Sequence, residues 1–171
     1  MTTAADAQPK NRIAGTWAMV SAKSDPKGAN RNLFGPNPSG QLIFTQDLRF
    51  TVVINNPTVP RFASSDRSKG TDAENKAAVA GALALYGTYV VDAEGRFAGE
   101  HVIGSTFPNW NGLNRTTVTL TETVEGDTMI EHYARARSPD NRDYLGPSNL
   151  TGERRVKTIL ITGVQSPFSQ G

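Results

Sequence analysis

The sequence predicts an all-β fold, namely a closed antiparallel barrel of about eight short strands with one short helix. The first observation behind this prediction is a content of 16 glycines and 10 prolines in 171 residues, which indicates many turns. The second is that runs of β-branched and aromatic residues recur between those turns at short spacing. The third is that a single stretch has the composition of a helix. An antiparallel barrel of this size can enclose one small ligand.

The predicted strands are the segments in which apolar and polar residues alternate between turn-forming sequences. Two of them, Gln41–Thr45 and Arg49–Asn55, form a hairpin, and the glycines within residues 93–95 and 125–127 predict two further tight turns. The complete set of predicted strands comprises residues 13–23, 41–45, 49–55, 86–92, 96–104, 115–122, 128–137 and 156–163.

The one predicted helix begins at Thr71, because residues 71–74 have the pattern of a capping box. In that motif the Thr71 hydroxyl accepts a hydrogen bond from the amide of Glu74, and the Glu74 carboxylate reaches back to the start of the helix. The alanine-rich stretch that follows has high helix propensity and extends the predicted helix to about Leu85, although Gly81 weakens it.

One domain is expected over residues 13–165, between tails of residues 1–12 and 166–171. A formal net charge of +2 with dispersed basic residues argues against nucleic-acid binding. The absence of cysteine excludes disulfides, a thiolate nucleophile and a cysteine zinc site. Without a secretory signal or an apolar run of about 20 residues, a cytoplasmic protein that does not bind membranes is expected. A homodimer is compatible with the sequence.

Three groups of motifs occur in a particular order over residues 13–137. They are Gly15-Thr16-Trp17; Phe34–Gly40 followed by Leu42–Thr45; and the set Arg61–Ser64, Gly70–Asp72, Tyr86–Tyr89, His101, Phe107–Trp110 and Arg115. In order and spacing, this combination resembles the lipocalin-like domain family of bacteria and fungi, within the wider calycin group. The resemblance implies a barrel with an interior site for a hydrophobic small molecule. It implies no particular reaction, because one fold supports many functions.

The resemblance also implies a structural role for Trp17. In calycins the tryptophan of this motif closes the floor of the barrel and is covered by an arginine from near the last strand. Arg154 or Arg155 could supply that cover through a cation–π contact. The alternative is that Trp17 stacks on the ligand.

Two histidines are the candidate proton carriers, since a neutral imidazole accepts or donates a proton near physiological pH. His101 lies within a predicted strand and can act on a bound ligand if its face of the strand points inward. His132 could form an acid–base couple with it across the barrel. The alternatives are a histidine hydrogen-bonded in the barrel wall or one on the outside. A metal would need Glu100 or Glu131 as a further ligand, and no metal is predicted.

Tyr86, Tyr89 and Arg115 are candidates for stabilising negative charge on a ligand oxygen. The two tyrosines are three residues apart, so on one strand they face opposite sides and only one can line the interior, unless Tyr86 is still at the end of the helix. Arg115, and Arg61 in the segment before the helix, could hold a carboxylate, phenolate or enolate through paired N–H donors. The alternatives are simple packing for a tyrosine, a surface position for either arginine, and pairing of Arg61 with Asp66.

Phe107, Asn109 and Trp110 lie in a predicted loop at the rim of the barrel. Trp110 could stack on a ligand ring, and Asn109 could orient a polar group. Phe107 and Phe44 are further apolar candidates for contact with the ligand. The alternative is that Trp110 anchors its own loop by packing beneath it.

The sequence lacks a phosphate-binding P-loop, a dinucleotide-binding glycine motif and the Gly-x-Ser-x-Gly elbow, which argues against nucleotide-dependent and esterase chemistry. The function it favours is a cofactor-independent isomerase, cyclase or lyase that acts on a hydrophobic oxygenated small molecule in natural-product metabolism. In this hypothesis His101, with His132, moves a proton, while a tyrosine and Arg115 stabilise charge on oxygen. The alternative is a non-catalytic carrier or sequestering protein for a lipophilic ligand.

Overall fold

Alternation of side chains between two faces defines the sheet of this protein. The computed structural model describes residues 10–24, 31–134 and 156–162. In the strand Arg49–Asn55, Phe50, Val52 and Ile54 are buried, whereas the residues between them are exposed. This period of two is typical of a strand with one face on a core and the other face in solvent.

The described residues form ten strands and one α-helix, so the prediction of a mainly β protein is confirmed. The first half contains β1 (Gly15–Ser24), β2 (Arg31–Asn32), β3 (Ser39–Phe44), β4 (Arg49–Asn55), α1 (Asp72–Ala80) and β5 (Ala82–Val91). The second half contains β6 (Phe97–Ser105), β7 (Asn114–Thr116), β8 (Leu120–Glu125), β9 (Thr128–Ala134) and β10 (Val156–Thr162). Single 3-10 turns span Arg67–Lys69 and Pro108–Trp110.

These strands join in one curled antiparallel sheet, in the order β7-β6-β5-β4-β3-β1-β10-β9-β8, with the short β2 beside β1. The edge strands β7 and β8 are consecutive in the chain, and no ladder of backbone hydrogen bonds joins them among the described residues. We call the junction of these two edges, residues 114–116 and 120–125, the seam. The described sheet is a half-barrel, and the prediction of a closed barrel of about eight strands is not confirmed.

Helix α1 begins where the sequence predicts and ends earlier. Thr71 Oγ1 accepts from the Glu74 amide at 3.3 Å, and Glu74 Oε2 accepts from the Thr71 amide at 2.7 Å, which completes the capping box. The helix ends at Ala80 because residues 82–85 pair with β4. The prediction of a helix as far as Leu85 was wrong, since strand pairing and the burial of Leu85 outweigh helix propensity.

The strand predicted over residues 115–122 is in fact two strands separated by a turn. Residues 117–119 form this turn, in which the Thr119 amide donates to the Thr116 carbonyl at 2.9 Å. The chain thereby passes from one edge of the sheet to the other, which brings β7 and β8 to the seam. The last residues of the next predicted strand, 135–137, lie outside the described residues.

The concave side of the sheet holds a largely apolar core. Its largest fully buried side chains are Trp17, Tyr89, Phe50, Ile13, Leu42, Leu120, Met129 and Val102. The indole Nε1 of Trp17 donates to the Ile13 carbonyl at 2.9 Å, so Trp17 is satisfied within the protein, as a structural role requires. Arg154 and Arg155, the residues expected to cover Trp17, lie outside the described residues.

The segment before β1 crosses one end of this core. Ile13 is buried, and the Asn11 side chain donates to the Tyr89 hydroxyl at 2.6 Å. The Arg12 amide donates to the Gly95 carbonyl at 2.9 Å, in the turn between β5 and β6. These contacts close that end of the core with backbone and side chains from before the first strand.

Candidate functional site

A buried ion pair joins β6 to β7 on the concave side of the sheet. Glu100 and Arg115 are opposite each other in the register of these strands, and Arg115 Nη1 donates to Glu100 Oε1 at 2.8 Å. The side chain of Arg115 is 7% exposed and that of Glu100 is 3% exposed. Burying such a pair costs the hydration of both charges, and this cost is offset only where the remaining polar atoms also find partners.

Two aromatic rings hold the guanidinium of Arg115 in place. Its central carbon lies 4.3 Å from the ring centroid of Trp110 and 5.3 Å from that of Tyr133. Trp110 belongs to the turn before β7, and Tyr133 belongs to β9, on the other side of the seam. Cation–π attraction to both rings fixes the orientation of the guanidinium plane.

The other donors of Arg115 have no hydrogen-bond partner among the described residues. The unpartnered atoms are Nε and Nη2, and both are buried. Nη1 is the nitrogen on the Cδ side of the group, so Nε–H and Nη2–H lie along the opposite edge and point in the same direction. Buried donors without partners are rare in proteins, and an edge of this kind matches a pair of acceptor oxygens.

Two glutamates face each other on β8 and β9. Glu122 is directly opposite Glu131 in the antiparallel register, next to the pair formed by Leu120 and Tyr133. Glu122 is 7% exposed, and its Oε2 atom lacks a hydrogen-bond partner within the described part of the chain. Cross-strand neighbours share a face of the sheet, so both carboxyl groups are on the same side as Tyr133 and Arg115.

Burial keeps these carboxyl groups protonated to unusually high pH. Burial, together with the negative charges of Glu131 and Glu100, raises the pKa of Glu122 well above its ordinary value. Burial and the charge of Glu100 raise the pKa of Glu131 to about 7. The pKa of Glu100 is also raised by burial, although Arg115 opposes this shift. Glu131 is therefore close to its midpoint at neutral pH, and the protonated form of Glu122 is favoured more strongly than that of an exposed glutamate.

Glu100, Arg115, Glu122 and Glu131 form what we call the seam cluster, with one residue from each of β6, β7, β8 and β9. Within the described residues, no group of three or more His, Cys, Asp or Glu side chains is arranged to hold a metal ion. The chemistry available to the cluster is hydrogen bonding to a ligand oxygen through Arg115 and proton exchange through the glutamates.

Two predicted site residues, Arg115 and Trp110, are brought together at the seam cluster. Phe107 lies beside them, with its ring centroid 5.5 Å from that of Trp110 in an edge-to-face contact. Tyr89 and Phe44 are in the core, where their rings also meet edge to face at 5.2 Å. The Tyr89 hydroxyl donates to a backbone carbonyl in the β3–β4 turn, at 2.7 Å. Burial raises the pKa of Tyr89.

His101 lies on the outer face of the sheet, so the prediction that it faces the interior was wrong. The residue is exposed, and its Nδ1 atom is 2.8 Å from Asn114 Oδ1. Tyr86 is also on the outer face and is 53% exposed. Of the two tyrosines, it is therefore Tyr89 that is directed to the interior.

A bulge in β6 explains the outward position of His101. In the ladder with β5, the register shifts by one residue just after Phe97. An extra residue in one strand moves every following side chain to the other face. Phe97 is buried as the alternation predicts, but the next large inward side chain is Glu100 rather than His101.

The remaining predicted residues lie away from the seam cluster. His132 is between Glu131 and Tyr133 on β9, so alternation directs it to the opposite face, and the expected histidine couple across the interior was wrong. Asn109 and Arg61 are exposed. None of these three side chains faces the interior donors of Arg115.

Glu122 and Glu131 were not predicted as acid–base candidates, although the sequence contains a signal for them. On β8, Glu122 lies on the same face of the strand as Leu120 and Val124, the residues that face the core. A glutamate at an apolar position of a strand is unusual, because its charge would be buried. The tight turn at residues 125–127 then sets the register that brings Glu131 opposite Glu122.

The comparisons with known proteins agree with this architecture. A model of a lipocalin-like domain matches residues 14–154, which confirms the resemblance predicted from the sequence motifs. A search of curated proteins gave no match. Within the described residues, no helix has the length and apolar character needed to span a membrane.

Proposed function

The chain belongs to the lipocalin-like domain family, whose fold is suited to binding hydrophobic ligands. From this premise we propose that the protein is an acid–base enzyme. Its substrate is a hydrophobic oxygenated small molecule, and the reaction is a proton transfer of the isomerase, cyclase or lyase type that needs no cofactor. The observation that carries this proposal is a buried arginine edge, unpartnered among the described residues, beside two opposed carboxyl groups whose pKa values are raised by burial.

Arg115 is the group that binds and polarises the substrate oxygen in this proposal. Its charge is held in a buried position by Glu100 and Trp110, so its donors need no reorientation when negative charge develops on the ligand. A donor of this kind contributes most in a site from which water is excluded, where electrostatic interactions are less screened. Loss of one such donor reduces catalytic rates by about 10²–10³-fold in enzymes that depend on it.

In this proposal Glu131 is the general base and Glu122 is the general acid. A general base is most effective when its pKa is close to the working pH, and burial raises the pKa of Glu131 to about 7. Burial and the neighbouring negative charges also raise the pKa of Glu122 well above its ordinary value, which favours the protonated form that a general acid requires. The pair therefore holds one acceptor and one donor of a proton on the same wall of the interior.

Exchange of α-protons of an enolisable ketone with solvent deuterium tests this proposal. With β-tetralone as the probe in deuterium oxide, we expect the protein to accelerate loss of the α-proton signals in proton NMR. Glu131→Gln removes the base without changing side-chain size, and a decrease of about 10²-fold in the enzymatic rate is expected. Glu125→Gln, an exposed position on the same hairpin, is the matched control and keeps the wild-type rate.

Two outcomes contradict the proposal. One is an exchange rate equal to that in buffer although β-tetralone binds, which is the result expected of a carrier. The other is acceleration that survives Glu131→Gln and Glu122→Gln alike. Binding is measured separately by isothermal titration, so that the absence of catalysis is not confused with the absence of a complex.

A further inference from the structure

We infer that the substrate is a hydrophobic β-dicarbonyl compound whose two oxygens accept hydrogen bonds from Nε–H and Nη2–H of Arg115. The inference rests on the proposed function and specifies the reacting end of the substrate. Three features of the seam cluster lead to it: the free edge of Arg115, the charge balance of the interior, and the position of the carboxyl pair.

The free edge of Arg115 selects a ligand with two oxygens in one plane. Nε and Nη2 are both buried and lack partners among the described residues, while Nη1 is already bound to Glu100. The guanidinium packs against the rings of Trp110 and Tyr133, and these contacts restrict the direction of its donor edge. Two parallel N–H donors match two coplanar acceptors much better than a single carbonyl oxygen.

The charge balance of the interior favours a ligand that enters neutral. The single positive charge of Arg115 is already balanced by Glu100, and Glu122 and Glu131 lie on the same side. A simple carboxylate would add a permanent negative charge to this buried group, which is costly. A β-dicarbonyl compound offers the same pair of oxygens without a charge.

The carboxyl pair supplies the proton transfer that such a substrate undergoes. The C–H bond between the two carbonyl groups breaks, its proton passes to the Glu131 carboxylate, and its electron pair spreads over both oxygens on Arg115. Protonated Glu122 can then donate a proton to a different atom of the enolate, which completes an isomerisation. The total charge of the interior is unchanged, and both hydrogen bonds to Arg115 strengthen as the enolate forms.

The acidity of the two partners also fits this substrate class. A C–H bond between two carbonyl groups is far more acidic than one beside an isolated ketone. A carboxylate whose pKa is raised to about 7 by burial can therefore act on both, and it removes the proton of the first faster than that of the second.

Three probes with the same phenyl-bearing chain test the inference in the full-length protein. Benzoylacetone has two carbonyl groups, benzylacetone has one, and phenylbutyrate has a carboxylate. We expect benzoylacetone to bind at least about tenfold more tightly than either of the others, measured by isothermal titration, since one additional buried hydrogen bond to a charged donor contributes about 1.5–3 kcal/mol. Its deuterium exchange, relative to that in buffer, is also expected to be accelerated most.

Arg115→Lys separates the two-donor edge from the positive charge. The lysine keeps the charge but not the paired donors, so the preference for benzoylacetone over benzylacetone is expected to disappear. Circular dichroism establishes whether this variant folds. If it does not, the comparison of the three probes on the wild-type protein still decides the question, because it needs no variant.

The inference is overturned if phenylbutyrate or benzylacetone binds as tightly as benzoylacetone. It is also overturned if folded Arg115→Lys keeps the full preference for benzoylacetone. In either case, exchange of β-tetralone that depends on Glu131 still supports the proposed function. Loss of that dependence contradicts the proposed function itself, so the two failures are distinguishable.

Discussion

Glu122 and Glu131 are directly opposite each other on β8 and β9, and both are directed to the interior of the curled sheet. Opposed side chains in an antiparallel pair have Cβ atoms only about 4.5–5.5 Å apart. Burial raises the pKa of both carboxyl groups, and the nearby negative charge of Glu131 raises that of Glu122 further. This relationship makes the free energy of unfolding depend on pH.

Stability is expected to fall as the pH rises toward neutrality. Burial raises the pKa of Glu131 from 4.5 to about 7, so between these values the folded protein binds more protons than the unfolded chain. The free energy of unfolding is therefore highest below about pH 4.5 for this group and decreases by about 3 kcal/mol by about pH 8. Urea unfolding across this pH range measures the effect.

Glu131→Gln is expected to remove most of that decrease and to stabilise the protein at about pH 8. The amide keeps the shape of the side chain and never carries a charge. Glu125→Gln changes an exposed carboxylate of the same hairpin and should leave the pH dependence as it is in the wild type. If the free energy of unfolding of Glu131→Gln depends on pH as it does in the wild type, burial of Glu131 is not the cause of that dependence.

Arg115→Met is expected to destabilise the fold by about 3–5 kcal/mol, because it leaves Glu100 buried without its ion-pair partner. Adding Glu100→Gln should restore much of the loss, since no uncompensated charge then remains. The double-mutant cycle, measured by urea unfolding, gives the coupling between the two residues. Additive effects of the two substitutions would show that the 2.8 Å contact does not couple them energetically.

Tryptophan fluorescence is expected to report ligand binding through Trp110. The chain has two tryptophans, and Trp17 is fully buried in the core whereas Trp110 lies over Arg115. β-Tetralone should therefore change the emission of the wild-type protein, and this change should disappear in Trp110→Phe. An unchanged response in Trp110→Phe would place the ligand near Trp17 instead.

His101→Ala is expected to keep the deuterium-exchange rate within about twofold of wild type. Its imidazole is exposed on the outer face and lies 2.8 Å from Asn114, so it has no access to the interior. Glu131→Gln, assayed in parallel, should lose most of the rate. A large decrease in the exchange rate of His101→Ala, with the fold intact, would show that the histidine takes part in the reaction.

Features that depend on a few neighbouring residues could be predicted from the sequence. The capping box at Thr71 forms as its residue types require, and the alternation of apolar and polar residues in β4 places Phe50 in the core. The sequence allowed either a ligand-facing or a surface position for Arg115, and only the structure shows that this side chain is buried. The helix beyond Ala80 could not be predicted, because pairing with β4 is a tertiary contact that overrides local propensity.

The sequence by itself determined that this is a β-rich chain of short alternating strands, because side-chain periodicity and turn residues act over only a few positions. Its motifs also identified the family. Only the tertiary structure decided which polar residues meet. The bulge after Phe97 turned Glu100 inward and His101 outward, since one extra residue reverses every later face of a strand. The curl of the sheet then brought Arg115 to Glu122 and Glu131 across the seam, between strands from opposite edges. No local pattern could specify that meeting, because it depends on how the whole sheet twists.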